Sequence, residues 1–261
     1  MRGSLRGALN NHMNMKTKKL LVILILIFAG SNFNLLTAQP SKQILIDLAH
    51  GQKFWNDPAD MKNSDSKQID RVKYMTGELT KIATALDARI AYQKGIFDAG
   101  SLASCDLLFI HVPAAKFSAS EVKVINEYVK NGGSLFLTMD QDYWSTLKKT
   151  RVNELISPFG IKYGAQSPDT LSGGFTEAGT ITPNPLKISY HGERLVSGGT
   201  PFCFSNQSKE YPFGVFLELD NGGKLIVMGD GMVSLFMTSW RGVKDYQCSE
   251  FMHDALKWLL N

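Results

Sequence analysis

Four apolar runs in this chain end in residues that can carry protons or bind hydroxyls. Residues 44–51 read ILIDLAHG, 106–113 DLLFIHVP, 134–142 SLFLTMDQD and 224–231 KLIVMGDG. His50 follows Asp47 by three residues, and an imidazole held by a carboxylate can serve as a general base near neutral pH. Asp140 and Asp230 have the chemistry of the acid–base carboxylates of glycosidic cleavage. His50, Asp140 and Asp230 are therefore the candidate catalytic residues. Asp47, Gln52, His111, Asp142, Trp144 and Trp240 are candidate ligand-binding residues. Flat rings beside carboxylates and amides suit a sugar, which packs an apolar face on a ring and gives its hydroxyls to polar groups. Each residue also has a plain structural reading. Asp and His at strand ends cap helices or bond loop backbone, His111 after so apolar a strand fits a satisfied half-buried histidine, and indole rings can simply pin loops.

The elements that must position these residues alternate along the chain. Runs 44–48, 88–92, 107–112 and 135–139 read as strands, the third apolar enough to be covered on both faces. Ile69, Val72, Met75, Leu79, Ile82 and Leu86 recur at three- and four-residue spacing, which predicts an amphipathic helix over 64–86. Ser118 with Glu121 three residues on forms a capping-box pattern ahead of Val122, Ile125 and Val129, and Asn131-Gly132-Gly133 closes that helix. Residues 146–157 also look helical. Between 159 and 211 Gly, Pro, Ser and Thr dominate without a long periodic segment, so an insertion of loops and short strands is expected there, a flap over the strand ends. Asp220-Asn221-Gly222-Gly223 between two apolar runs predicts a hairpin, and 246–260 a final helix. In a parallel sheet the carboxyl ends of the strands line one crevice, where ligands bind. That is how His50, His111, Asp140 and Asp230 can meet.

Residues 1–38 read as a signal peptide: Lys16, Lys18 and Lys19 precede the apolar run 20–29, and Leu36-Thr37-Ala38 offers a small-residue cleavage site. The run is about half of the roughly 20 residues a membrane span needs, so no stable membrane insertion is expected after cleavage. The full chain carries 28 Lys+Arg against 24 Asp+Glu, a net +4. Five of those basic residues lie in the leader, which leaves 23 against 24 and a net charge of −1 for 39–261. No basic cluster suggests a nucleic-acid partner. The three cysteines have no CxxC or close pair and are expected as buried free thiols. His50, His111 and Asp140 are ligand types, yet no local metal-binding spacing joins them. Neither a metal nor another cofactor is expected.

DLAHGQ after the first strand, NGGSLFL into the fourth and GGKLIVMGDG near the end resemble a secreted bacterial family of unknown function with a class I glutamine amidotransferase-like fold. That family is similar to trehalose-utilisation-type domains and to the amino-terminal domain of an intraflagellar transport protein. Its members occur beside or fused to enzymes that degrade plant and algal polysaccharides, notably unsaturated rhamnogalacturonyl hydrolases. The resemblance spans about 43–260 and implies a single domain over 39–261. The expected fold is α/β: a doubly wound, mostly parallel flavodoxin-like sheet with the insertion and a C-terminal hairpin plus helix. The amidotransferase nucleophile is missing, because the fourth strand leads into Thr138-Met139-Asp140-Gln141-Asp142 and not into a cysteine elbow. No G-x-S-x-G stands in its place. The expected function is an exported ligand-binding or accessory domain, periplasmic or extracellular, with an oligosaccharide ligand. The alternative is a hydrolase of glycan fragments using His50 and the strand-end carboxylates. Glutaminase activity is not expected, and the sequence does not set the oligomeric state.

Overall fold

The computed structural model describes residues 40–52, 54–169, 173–189, 194–205, 209–235 and 245–261. The leader and Trp240 lie outside the described residues.

Five parallel strands form one side of a nine-stranded sheet, with β2 at its edge: β1 (Lys42–Asp47), β2 (Ala88–Gln93), β3 (Leu107–His111), β4 (Ser134–Thr138) and β11 (Lys224–Met228). Their order is β2-β1-β3-β4-β11, the flavodoxin-like order with β11 as its fifth member. Alternate residues face opposite sides. Ile44, Ile46, Phe109, Phe136 and Ile226 join one core, and Leu45, Leu108, Leu135, Leu137 and Val227 the other. A sheet apolar on both faces must be covered on both.

The first core is covered by α1 (Ser66–Ala85) and α6 (Cys248–Leu260). Helix α1 starts where the Asp65 side chain accepts a hydrogen bond from the Gln68 amide at 3.0 Å. It buries Val72, Met75, Leu79, Ile82 and Ala83, the three-to-four spacing expected from the sequence. The second core is covered by α2 (Ala99–Leu102), α3 (Ala119–Lys130) and α5 (Val152–Ile156). Helix α3 begins with the Ser118–Glu121 capping box and buries Val122, Ile125 and Val129. The stretch 146–157 is not one helix. Arg151 adopts φ 66°, in the left-handed region, and separates α4 (Leu147–Thr150) from α5.

The predicted hairpin joins β10 (Pro212–Glu218) to β11, with Glu218 opposite Lys224. Gly223 is required there, since a Cβ would lie 2.1 Å from the Val129 carbonyl oxygen. Much of 159–211 belongs to the sheet itself. Strands β9 (Thr200–Phe204), β6 (Gly174–Thr176) and β7 (Lys187–Ser189) extend it antiparallel beyond β10, while β5 (Lys162–Gln166) and β8 (Arg194–Ser197) pair separately. The whole is thus an α/β fold with a large, mostly parallel central sheet and antiparallel strands at one side. Among the described residues no helix is long and apolar enough to cross a membrane.

Candidate functional site

Register sets which strand ends are neighbours. His111, Thr138 and Met228 are aligned across β3, β4 and β11. Asp140 and Asp230 therefore leave adjacent strands at the same level, each two residues beyond its aligned partner. Asp47 ends β1, on the far side of β3 from β4. The fold brings the candidates to one edge of the sheet but in two clusters.

The first cluster is built on His50, which is 4% exposed. Its Nδ1 lies 3.0 Å from the Asp47 carboxylate and its Nε2 3.3 Å from Glu121 Oε1. The ring stacks on Phe117 at 3.7 Å between centroids and on Phe97 at 5.7 Å. Burial lowers the proton affinity of His50, but the Asp47 hydrogen bond and the charges of Asp47 and Glu121 outweigh it and raise the pKa above 6.5. Burial pushes the Glu121 carboxyl upward, and hydrogen bonds from Ser118 and the Phe97 amide, with the His50 charge, more than reverse this. Gln52 donates to the Asp47 carbonyl at 2.8 Å and accepts from the Trp55 amide at 2.8 Å, so it staples this loop to the end of β1.

The second cluster is built on Gly231. Asp140 accepts from the Gly231 amide at 3.0 Å and the Gln141 amide at 2.7 Å. The Gly231 carbonyl lies 2.8 Å from His111 Nε2. The Ser234 hydroxyl also meets Nε2 and itself donates to the Gly231 carbonyl at 3.0 Å. Both oxygens are then acceptors toward the ring, so Nε2 carries the proton and Nδ1 is a bare acceptor. Burial pushes the His111 pKa down to about 4, and the ring is neutral at pH 7. Asp230 accepts from the Met232 amide at 2.7 Å and from the Ser189 hydroxyl on β7. Asp142 is largely exposed and pairs with the buried Arg194, whose Nε donates to the Asp140 carbonyl at 3.1 Å. Trp144 meets Phe54 edge-on at 5.1 Å.

Glu121, Phe97, Phe117, Ser189 and Arg194 were not legible as site residues. Glu121 was readable only as a cap, and Arg194 belonged to a polar stretch with no periodicity. Among the described residues no group of three or more His, Cys, Asp or Glu side chains is arranged to hold a metal. The three cysteines are free and buried, and burial pushes the Cys105 thiol up to about 12 and the other two upward as well. A pocket of about 540 Å³ lies at the opposite edge of the sheet, between Asp106, Ser134 and Lys224, and none of the candidates lines it.

With this geometry in view, comparison places the fold before any particular relative. Residues 70–168 match the family model of the IFT52 GIFT domain. The structure resembles that of the mmIFT52 N-terminal domain with a TM-score of 0.62 at 16% identity, over 84% of this chain and 97% of that one. A weaker likeness is to an exo-β-1,4-mannosidase from Opitutaceae bacterium strain TAV5 (TM-score 0.48, 12% identity, 91% of this chain and 38% of that one). Another is to a Thermoplasma acidophilum protein assigned to GMP synthase (TM-score 0.44, 11% identity, 84% and 94%). No curated protein matches the chain. At these identities the likeness is one of fold.

Proposed function

We propose that this chain is an exported, non-catalytic ligand-binding or accessory domain of a polysaccharide-degradation system, taking an oligosaccharide at the carboxyl ends of its strands. The observation that carries this reading is the state of the ionisable candidates. His50 has a carboxylate at each ring nitrogen, so accepting a substrate proton would mean breaking an internal ion pair. The Asp140 and Asp230 carboxylates are buried and already accept internal hydrogen bonds. A general acid or base must reach the proton it moves, and these groups are spent on the fold. Glutaminase chemistry has no support either, because a nucleophilic cysteine needs a thiolate and these thiols are buried with raised pKa values. The leader pattern supports export. The strand-end aromatics, with the resemblance carried by DLAHGQ and GGKLIVMGDG, support a glycan.

The test is a thermal-shift screen of the protein, produced with its leader and processed by the host, against pectic and other plant oligosaccharides and divalent metals. The expected result is stabilisation by an oligosaccharide, no shift with metals and no release of new reducing ends. Turnover of an oligosaccharide that is lost in Asp140→Asn would replace this reading with the hydrolase.

A further inference from the structure

Five buried polar atoms near the ends of β3 and β4 have no hydrogen-bond partner among the described residues: His111 Nδ1, Thr138 Oγ1, Trp55 Nε1, Trp144 Nε1 and Ser145 Oγ. They belong to one neighbourhood. His111 and Thr138 are register partners on adjacent parallel strands, so their side chains leave the same face of the sheet. The Phe54 ring lies 5.4 Å from His111 and 5.1 Å from Trp144, and Trp55 lies 6.4 Å from His111 and 5.5 Å from Phe109. His111, Thr138 and Trp55 are at most 1% exposed. Native interiors rarely leave buried polar groups unpaired, since each such group carries its full desolvation cost. Several such atoms around one aromatic cluster mark a position that something else completes.

The inventory says what that is. His111 Nδ1 only accepts, because Nε2 carries the proton toward the Gly231 carbonyl. The two indole nitrogens only donate, and the hydroxyls of Thr138 and Ser145 do both. A fully deprotonated anion has no proton for His111, an anion of any kind has no cationic partner among these groups, and a cation gives the indoles nothing to bond. The complement is an uncharged group that donates and accepts, and the surrounding rings favour one with apolar C–H faces. We infer that Phe54 and Trp55 cover a binding position at the ends of β3 and β4 for a small uncharged polyol unit, such as one sugar ring, with His111 Nδ1 and Thr138 Oγ1 as its floor. This rests on the reading of the strand ends as a glycan site and supplies the atoms that hold the glycan. Gln52 holds the Trp55 segment against the end of β1, donating to the Asp47 carbonyl and accepting from the Trp55 amide.

The experiment uses the full chain and two variants: Thr138→Val, which keeps shape and removes one unpaired hydroxyl, and Trp55→Phe, which removes the indole N–H together with part of a buried ring. Melting temperatures are measured alone and with myo-inositol, glycerol, galactose, rhamnose and sodium phosphate, with calorimetry for any that shift. Without ligand Thr138→Val is expected to melt at or above the wild type and Trp55→Phe below it, because the smaller ring leaves a cavity. Both are expected to bind the shifting polyol about tenfold more weakly or worse. Phosphate is expected to give no shift beyond its general salt effect. A lowered melting temperature in Thr138→Val would show the hydroxyl to be already satisfied, by ordered water, and would overturn the inference. Equal polyol affinity in wild type and both variants would leave a glycan site standing and remove it from this position. No shift with any sugar or polyol, oligosaccharides included, would remove both.

Discussion

His50 and His111 lie at the ends of adjacent strands, and their surroundings move their proton affinities in opposite directions. The His50 pKa is raised because two carboxylates outweigh burial. Its contribution to stability is therefore complete below about 6.5, the unfolded value, and is lost as pH rises through the higher folded value. The His111 pKa is lowered to about 4 by burial. Its contribution is complete above about 6.5 and is lost as pH falls toward 4, a span worth up to about 3 kcal/mol. Stability should therefore peak near neutrality and fall on both sides. Urea midpoints from pH 4 to 9 would show it, and His50→Gln should remove the decline on the alkaline side. That variant also strands Asp47 and Glu121, each buried, at a cost of about 3–5 kcal/mol. His50→Gln combined with Glu121→Gln should recover part of the loss. Two independent single effects would count against the triad.

At the scale of elements, the amino end of α3 does two jobs. Ser118 and Glu121 cap the helix, and Glu121 also receives the Phe97 amide at 3.1 Å and faces His50. Ser118→Ala should cost about 1 kcal/mol as an ordinary cap loss. Glu121→Ala should cost clearly more, since it leaves the buried His50 ring with one partner and the Phe97 amide with none from Glu121. Equal costs in chemical denaturation would mean that the ion pair contributes nothing. On the same face of the sheet as α3, β8 approaches the end of β11 so closely that a Cβ on Gly229 would lie 1.9 Å from the Arg194 carbonyl oxygen. Backbone cannot give way as a side-chain tip can. Gly229→Ala should therefore destabilise by about 1–3 kcal/mol or more and disturb the Arg194–Asp142 pair. Unchanged stability would show that β8 can move off β11.

Across the whole molecule, the parallel half was legible because its signals are local. Strands β1, β3, β4 and β11 are apolar on both faces, Ser118–Glu121 announces a helix, and Asp220-Asn221-Gly222-Gly223 announces a hairpin. The antiparallel half was not, because β6 and β7 are three residues each; β6 gains its place from β9, a partner remote in sequence, and β7 from β6. Too few residues alternate for a period to emerge. The site divides the same way. Sequence put His50, His111, Asp140 and Asp230 at strand ends. It could not show that Glu121 would close on His50 across 71 positions, Ser189 on Asp230 across 41, or Arg194 on Asp142 across 52. On the proposed reading, those long-range partners commit the candidate catalytic groups to the fold. His50→Ala separates the two roles: a base in an open crevice could be removed with little harm to the fold, whereas a buried imidazole paired at both nitrogens cannot.

The central claim is therefore that His50 serves the fold while the strand ends serve a ligand. It is tested most directly by the melting temperatures of wild type and His50→Ala, each with and without an oligosaccharide that stabilises the wild type. Ligand at a hundredfold excess over Kd adds about 2.7 kcal/mol. The account predicts a variant that melts far below the wild type without ligand and still gains most of that shift. A variant that melts like the wild type but no longer responds to the oligosaccharide would contradict it and return His50 to the binding site.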